Sequence, residues 1–187
     1  MRLNAVVFLC VSALTYALTL YFDHGAPPVA RPVIVQPASI IQRLPEGESL
    51  PVFSFQTPDG TRYDSKMFRD KIILLNFWAS WCPPCVKEFP ALLDIARAFP
   101  DEVVLIALSS DMDEPAMQTF VNKLPLGVMP KNVFVAFDRD QTVTQKIFQT
   151  FQLPETIVID KAQIMRHKIA GADWEPAELK KQISASR

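Results

Sequence analysis

The apolar run Ile72-Ile73-Leu74-Leu75-Asn76-Phe77-Trp78 leads, after only Ala79 and Ser80, into Trp81-Cys82-Pro83-Pro84-Cys85 and then a stretch of helical spacing. A run that is apolar at nearly every position marks a strand covered on both faces. The chain must therefore layer other elements on both sides of a sheet, with two cysteines at the junction of a buried strand and a helix. A thiol at a helix N-terminus faces unpaired backbone N–H groups and the positive end of the helix dipole. Both favour the thiolate, which is the reactive species. The second cysteine is near enough to close a disulfide and release a mixed-disulfide partner.

Three other readings of the pair are weaker. Structural zinc sites need about four ligands, and outside the pair the chain offers only Cys10, in an apolar run, and the isolated His24 and His167. Covalent haem attachment needs a histidine directly after the second cysteine, where Val86 stands. Two inert core cysteines would be unremarkable in themselves, but two prolines between them and a helix start immediately after argue for redox use. No cofactor beyond a redox-active Cys82–Cys85 disulfide is expected.

The 187 residues support one domain with some extra length, and the net charge of -1 without any basic cluster argues against nucleic acid as a partner. From Leu3 to Phe22 no charged residue occurs. Twenty helical residues span roughly 30 Å, the thickness of a bilayer core. An uncleaved anchor is favoured over a signal peptide, because Tyr21, Phe22, Asp23 and His24 offer no small-x-small cleavage site. With Arg2 and the amino terminus positive, the N-terminus should stay cytoplasmic and the rest of the chain lie beyond the inner membrane, in the periplasm. Residues 23–48 carry Pro27, Pro28, Pro32, Pro37 and Pro45. They read as an extended tether reaching up to roughly 80 Å. The expected organisation is an anchor over 1–22, a linker over 23–48 and a redox domain over 49–187. Nothing argues for more than a monomer.

Within that domain, Val52 to Phe55 and Thr61 to Tyr63 flank Pro58-Asp59-Gly60 and predict a hairpin. Strands are expected at 72–78, 103–108, 133–137, 156–159 and 164–169. Helices are expected from Pro83 to about Phe99, kinked at Pro90, and at 114–124, 141–151 and 175–183. In the helix at 141–151, Val143, Ile147, Phe148 and Phe151 would share one side. Strands alternating with helices and ending in a hairpin predict an α/β sandwich on a mixed central sheet.

Three segments carry a family resemblance: Phe55-x4-Gly60; Leu75-Asn76-Phe77-Trp78-Ala79-Ser80-Trp81-Cys82-Pro83-Pro84-Cys85-x2-Glu88-x-Pro90; and Leu153-Pro154-Glu155-Thr156-Ile157-Val158-Ile159-Asp160. Over about Pro51 to Lys181 the chain resembles membrane-anchored thioredoxin-like oxidoreductases of the TlpA/ResA/DsbE (CcmG) type. The resemblance implies a thioredoxin fold with an N-terminal hairpin and a central αβ insertion. It also implies periplasmic thiol–disulfide exchange, often on apocytochrome c during cytochrome c maturation, with electrons drawn from a membrane thiol transporter.

Cys82, ahead of the helix and the more exposed of the two, is the expected attacking thiol, and Cys85 the buried resolving thiol. On a helical wheel Cys85 lies near the middle of an apolar arc running from about −80° to about +100°. Glu88 falls at about −60°, inside that arc, where desolvation raises a carboxyl pKa. It is therefore the candidate for handling the proton of Cys85, as the resemblance also implies; the alternative is a carboxylate that simply favours the helix dipole. Asn76 stands where ordinary thioredoxins, by resemblance, carry a buried aspartate, so acid–base duty passes to another residue. Pro83 and Pro84 have no N–H, which leaves the Cys82 thiolate mainly the donor of Cys85. A less stabilised thiolate predicts a reductant rather than a strong oxidant.

By resemblance Pro154 should be cis and face the dithiol, where neighbouring backbone groups could pair with a substrate strand. Glu155 is either a determinant of substrate choice beside the site or a solvated strand residue. Trp81 and Trp78 are expected to shield the disulfide, with Trp78 also a candidate for plain core, and Trp174 is expected to pack. Other functions have specific obstacles. A peroxidase, by resemblance to peroxiredoxins, would need Thr or Ser at the position of Ala79. Copper delivery would want wider cysteine spacing and has only His167 to offer as a histidine ligand. A non-catalytic binding module would tolerate loss of Cys82.

Overall fold

The computed structural model describes residues 14–16, 18, 41–43, 48–124 and 129–186. The chain divides into two units, Met1–Ala38 and Ser39–Arg187. In the first, residues 14–16 and 18 are helical and exposed. The rest of the expected anchor, with Cys10 and His24, lies outside the described residues. Among the described residues no helix is long and apolar enough to cross a membrane.

The second unit is built on a six-stranded mixed sheet. Its strands are β1 (Ile41–Arg43), β4 (Ile72–Trp78), β5 (Val103–Ser109), β6 (Val133–Phe137), β7 (Glu155–Ile159) and β8 (Met165–Ala170), in the order β1-β8-β7-β4-β5-β6. β4, β5 and β6 run parallel, while β7, β8 and β1 are each antiparallel to their neighbours. Helix α1 (Pro83–Ala98) follows β4, α2 (Glu114–Lys123) follows β5, and α3 (Pro176–Ala185) closes the chain. This is a thioredoxin-like α/β fold with a mixed sheet flanked by helices.

The continuous apolar run of β4 resolves into two faces because strand side chains alternate. Ile72, Leu74 and Trp78 join α1, α2 and α3 in one core, whereas Ile73, Leu75 and Phe77 join the other. β5 divides in the same way, with Val103, Leu105 and Ala107 on the first face and Val104, Ile106 and Leu108 on the second. The second face is covered by a separate hairpin, β2 (Ser54–Gln56) with β3 (Arg62–Asp64), and by a 3-10 turn at Ser65–Phe68. Gly60, at φ 86°, permits the left-handed backbone of the hairpin turn. Phe55, Tyr63, Phe68 and Phe134 form an aromatic cluster beneath it.

Two expectations need correction. The stretch read as linker to residue 48 contributes β1, whose backbone pairs with β8 through Ile41↔Ile169, Gln42↔Lys168 and Arg43↔His167. A three-residue strand between prolines is too short to display periodicity. The expected helix at 141–151 is instead a π-helical turn over Thr142–Ile147. Asp138 caps it by accepting from the N–H groups of Val143 and Thr144, at 3.3 and 2.7 Å. Left-handed Gln149 (φ 51°) follows soon after, so Phe151 leaves the apolar side and is 75% exposed. By contrast, α1 runs through Pro90 as one helix.

Candidate active site

Cys82 and Cys85 are joined by a disulfide, with their Cα atoms 5.3 Å apart. Cys82 is the N-cap of α1, with extended backbone, and its Sγ accepts the Cys85 N–H at 3.3 Å. Pro83 and Pro84 occupy the first two helical positions, where an N–H would have no intrahelical partner and a fixed φ suits the helix. Their lack of N–H leaves Sγ with one local backbone donor. Cys82 is 4% and Cys85 0% exposed, so both residues are sheltered, and Cys82 borders a cleft.

That cleft has a volume of about 520 Å³ and is bordered by Trp81, Cys82, Pro83 and Pro84. Thr144, Thr150, Phe151 and Leu153 are also among its lining residues, and none of the described lining residues carries a charge. Trp81 is 60% exposed, which with Phe151 gives the cleft an apolar, aromatic rim. Helical spacing groups Phe151 with Val143, Ile147 and Phe148 on one side, so the sequence carries no sign of its place at the cleft.

Trp78 is core, in the same apolar cluster as Cys82 and Cys85. It is fully buried and packs on Phe89 and Phe120, with ring centroids 4.7 and 5.1 Å away. The Leu153–Pro154 bond is cis; Pro154 is buried while Leu153 reaches the cleft. Glu155 neither projects to a substrate nor lies in solvent. It is buried, pairs with Lys168 Nζ at 2.9 Å and accepts the Thr150 hydroxyl. Strand alternation turns it away from the face that carries Thr156.

Glu88 stands on α1, three residues beyond Cys85, and is 5% exposed. Its Oε1 accepts Asn76 Nδ2 at 2.9 Å, and its Oε2 accepts Trp174 Nε1 at 2.8 Å. Burial pushes its pKa up from the usual 4.5 to about 7, against the opposing pull of the Trp174 and Asn76 donors. Asn76 Nδ2 also reaches Thr156 Oγ1 at 3.0 Å, its partner across the β4–β7 ladder. Asn76 Oδ1 is buried without a hydrogen-bonding partner among the described residues. A half-turn of this amide would present Oδ1 to a protonated Glu88, so the pair can serve either protonation state. Trp174, expected only to pack, is a direct partner of this carboxylate. Nothing in the local sequence around residue 174 signals that contact, which spans 86 residues.

The loop before Cys82 is held by Asp111, whose buried carboxylate accepts Ser80 N–H, Ser80 Oγ–H and Ser109 Oγ–H. Asp111→Ala strands these donors, and a loss of about 2–4 kcal/mol in urea unfolding is expected, with Asp111→Asn losing less. Among the described residues no group of three or more His, Cys, Asp or Glu could hold a metal ion. His167 lies on β8, paired with Val158 and Arg43.

A cysteine pair capping the first helix after the central strand of a thioredoxin-like sheet is the working part of protein thiol–disulfide oxidoreductases. The chain belongs to the Redoxin family, whose model matches residues 45–183, and within it is a thioredoxin-like protein of the TlpA/ResA/DsbE type. It is 31% identical over 134 residues to the thiol-disulfide oxidoreductase ResA of Bacillus anthracis, covering 70% of this chain and 72% of that one. MTB DsbF, solved in mixed oxidized and reduced forms, superposes with a TM-score of 0.63 at 30% identity, covering 74% of this chain and 100% of that one. A secreted Mycobacterium tuberculosis disulfide oxidoreductase homologous to E. coli DsbE gives a TM-score of 0.61 at 26% identity, over 71% and 95% of the two chains. The chain is a protein thiol–disulfide oxidoreductase.

Proposed function

We propose that this oxidoreductase works as a reductant of protein disulfides, tethered to the outer face of the bacterial inner membrane by residues 1–22 and acting in the periplasm as a monomer. The observation that carries the direction of transfer is the N-cap geometry of Cys82. Its sulfur takes one backbone N–H, from Cys85, and the two prolines remove the next donors. A thiolate with few donors holds its electrons less tightly, so the dithiol is the better reductant.

In the forward direction the Cys82 thiolate attacks a substrate disulfide, forming a mixed disulfide and releasing one substrate thiolate. Cys85 then loses its proton to the Glu88 carboxylate and attacks Cys82 Sγ. The second substrate thiolate leaves, the substrate is reduced by two electrons, and the Cys82–Cys85 disulfide is formed. A membrane dithiol restores the reduced state. Trp81 and the backbone beside Pro154 hold the substrate chain, Pro83 and Pro84 set the sulfur environment, and Trp78 and Asn76 fix α1 and Glu88 against β4. Glu155, buried against Lys168, shapes the segment that leads into Pro154. Apocytochrome c before haem attachment is the substrate that the resemblance to the TlpA/ResA/DsbE type supports. The secreted M. tuberculosis relative supports an extracytoplasmic setting.

Equilibrating the full chain against glutathione or dithiothreitol tests the direction of transfer. A reduction potential near or below about −270 mV, that of thioredoxin, is expected. A value near about −120 mV, that of a strong oxidant, would reverse the assignment to disulfide formation.

A further inference from the structure

Five residues, Gly171 to Glu175, link β8 to α3 and touch the site at two points. Gly171 N–H donates to the Pro154 carbonyl at 2.9 Å. Three residues later, Trp174 Nε1 donates to Glu88 Oε2 at 2.8 Å. Outside that contact, the neighbouring residues Asp173 and Lys87 pair across the same gap at 3.9 Å. Trp174 is 9% exposed and belongs to the core shared by α1 and α3, so its indole has little freedom to leave the carboxylate. Pro154 and the buried acid are thus connected through one short loop.

We propose that Trp174 is a positioning residue: its indole N–H orients Glu88 and sets the pH at which Glu88 can take the proton of Cys85. This inference rests on the proton-handling role of Glu88 given above and adds the group that controls it. An indole can donate and cannot accept, so the contact favours the carboxylate over the acid, against the burial that favours the acid. The groups around Glu88 leave that role to few others. On α1 the titratable neighbours are Cys82 and Cys85, with Lys87 turned to the surface. β4 and β7 meet Glu88 with Asn76 and Thr156, neither of which ionises. Glu155 is bound by Lys168, Asp173 pairs with Lys87, and α3 supplies Leu179 and Ile183 to the core.

The test loads Cys82 of the full chain as a mixed disulfide with thionitrobenzoate and follows its release by Cys85 as a function of pH. Glu88→Gln should remove the pH step attributed to the carboxyl, and Trp174→Phe should keep the step but move its midpoint up by roughly one pH unit. If Glu88→Gln abolishes the step while Trp174→Phe leaves the midpoint in place, the role of Trp174 is overturned and that of Glu88 stands. If Glu88→Gln leaves the step unchanged, both fall. A second measurement needs no variant at residue 174. The indole N–H resonance of Trp174 in the wild type should shift with the same midpoint as thionitrobenzoate release. An indole signal that stays still through that midpoint would overturn the proposal even if Trp174→Phe fails to fold.

Discussion

Cys82→Ser is expected to lower disulfide-exchange turnover by at least about a thousandfold while the fold is retained, because a serine hydroxyl is a weak nucleophile at its free pKa and cannot form the mixed disulfide. The fold should survive for a local reason. Cys82 is the N-cap of α1, with its sulfur accepting the Cys85 N–H, and serine is among the preferred N-cap residues. Loss of the disulfide itself removes a very short loop closure, on the order of 2 kcal/mol in the chain-entropy estimate. Comparison with the reduced wild type cancels that contribution. Insulin reduction gives the rate, and thermal unfolding of both reduced proteins gives the control. A variant that performs its biological task at the wild-type level would mean that the fold binds partners without exchanging electrons with them. Cys85→Ala should do the opposite to the intermediate, leaving substrates trapped on Cys82 where they can be identified.

Glu88→Gln should produce the second large effect, in stability as well as in rate. The folded oxidised protein binds the Glu88 proton up to about pH 7, whereas the unfolded chain releases it near the usual 4.5. Between those values the folded state holds more protons, so stability falls as pH rises and levels off above the upper one. At 1.36 kcal/mol per pKa unit, the wild type should lose about 3 kcal/mol across this window. Glutamine has no such loss, and its amide NH2 can donate to Asn76 Oδ1 once the asparagine amide turns over. The variant should therefore be the more stable protein above about pH 7 and show no advantage below about pH 4.5. Denaturation in urea at a series of pH values reads this directly, and two parallel stability curves would refute the buried-acid assignment. In catalysis the sign is reversed: the resolving step should rise with pH in the wild type as Glu88 becomes able to accept a proton, and lose that step in the variant.

The parts of this site that the sequence made legible are those tied to one element or one motif. The apolar run of β4 and the cysteine pair define the strand–helix junction, because a central strand has no polar face to present. The helical wheel puts Glu88 among apolar neighbours, since position along one helix fixes direction. The rest depends on contacts between distant segments. Trp174 reaches Glu88 only because β8 returns beside β7 and its following loop folds over α1. Residues 141–151 carry helical periodicity, yet the carboxylate of Asp138 winds the segment into a π-helical turn and the left-handed backbone at Gln149 redirects Phe151 to the cleft. β1 has three residues, fewer than two full periods of a strand, and its place comes from the open edge of β8 rather than from any pattern of its own.

The uncharged lining of the cleft beside Cys82 bears on how this protein chooses among disulfides. Fields that steer a partner from a distance, or turn one away, come from charges around the mouth of a site, and added salt weakens them. The described residues that line this cleft add no such charge. Within the cleft it is contact that counts: a disulfide reaching Cys82 meets the exposed aromatic side chains of Trp81 and Phe151. Recognition at this lining then rests on apolar surface and exposed backbone rather than on ion pairs.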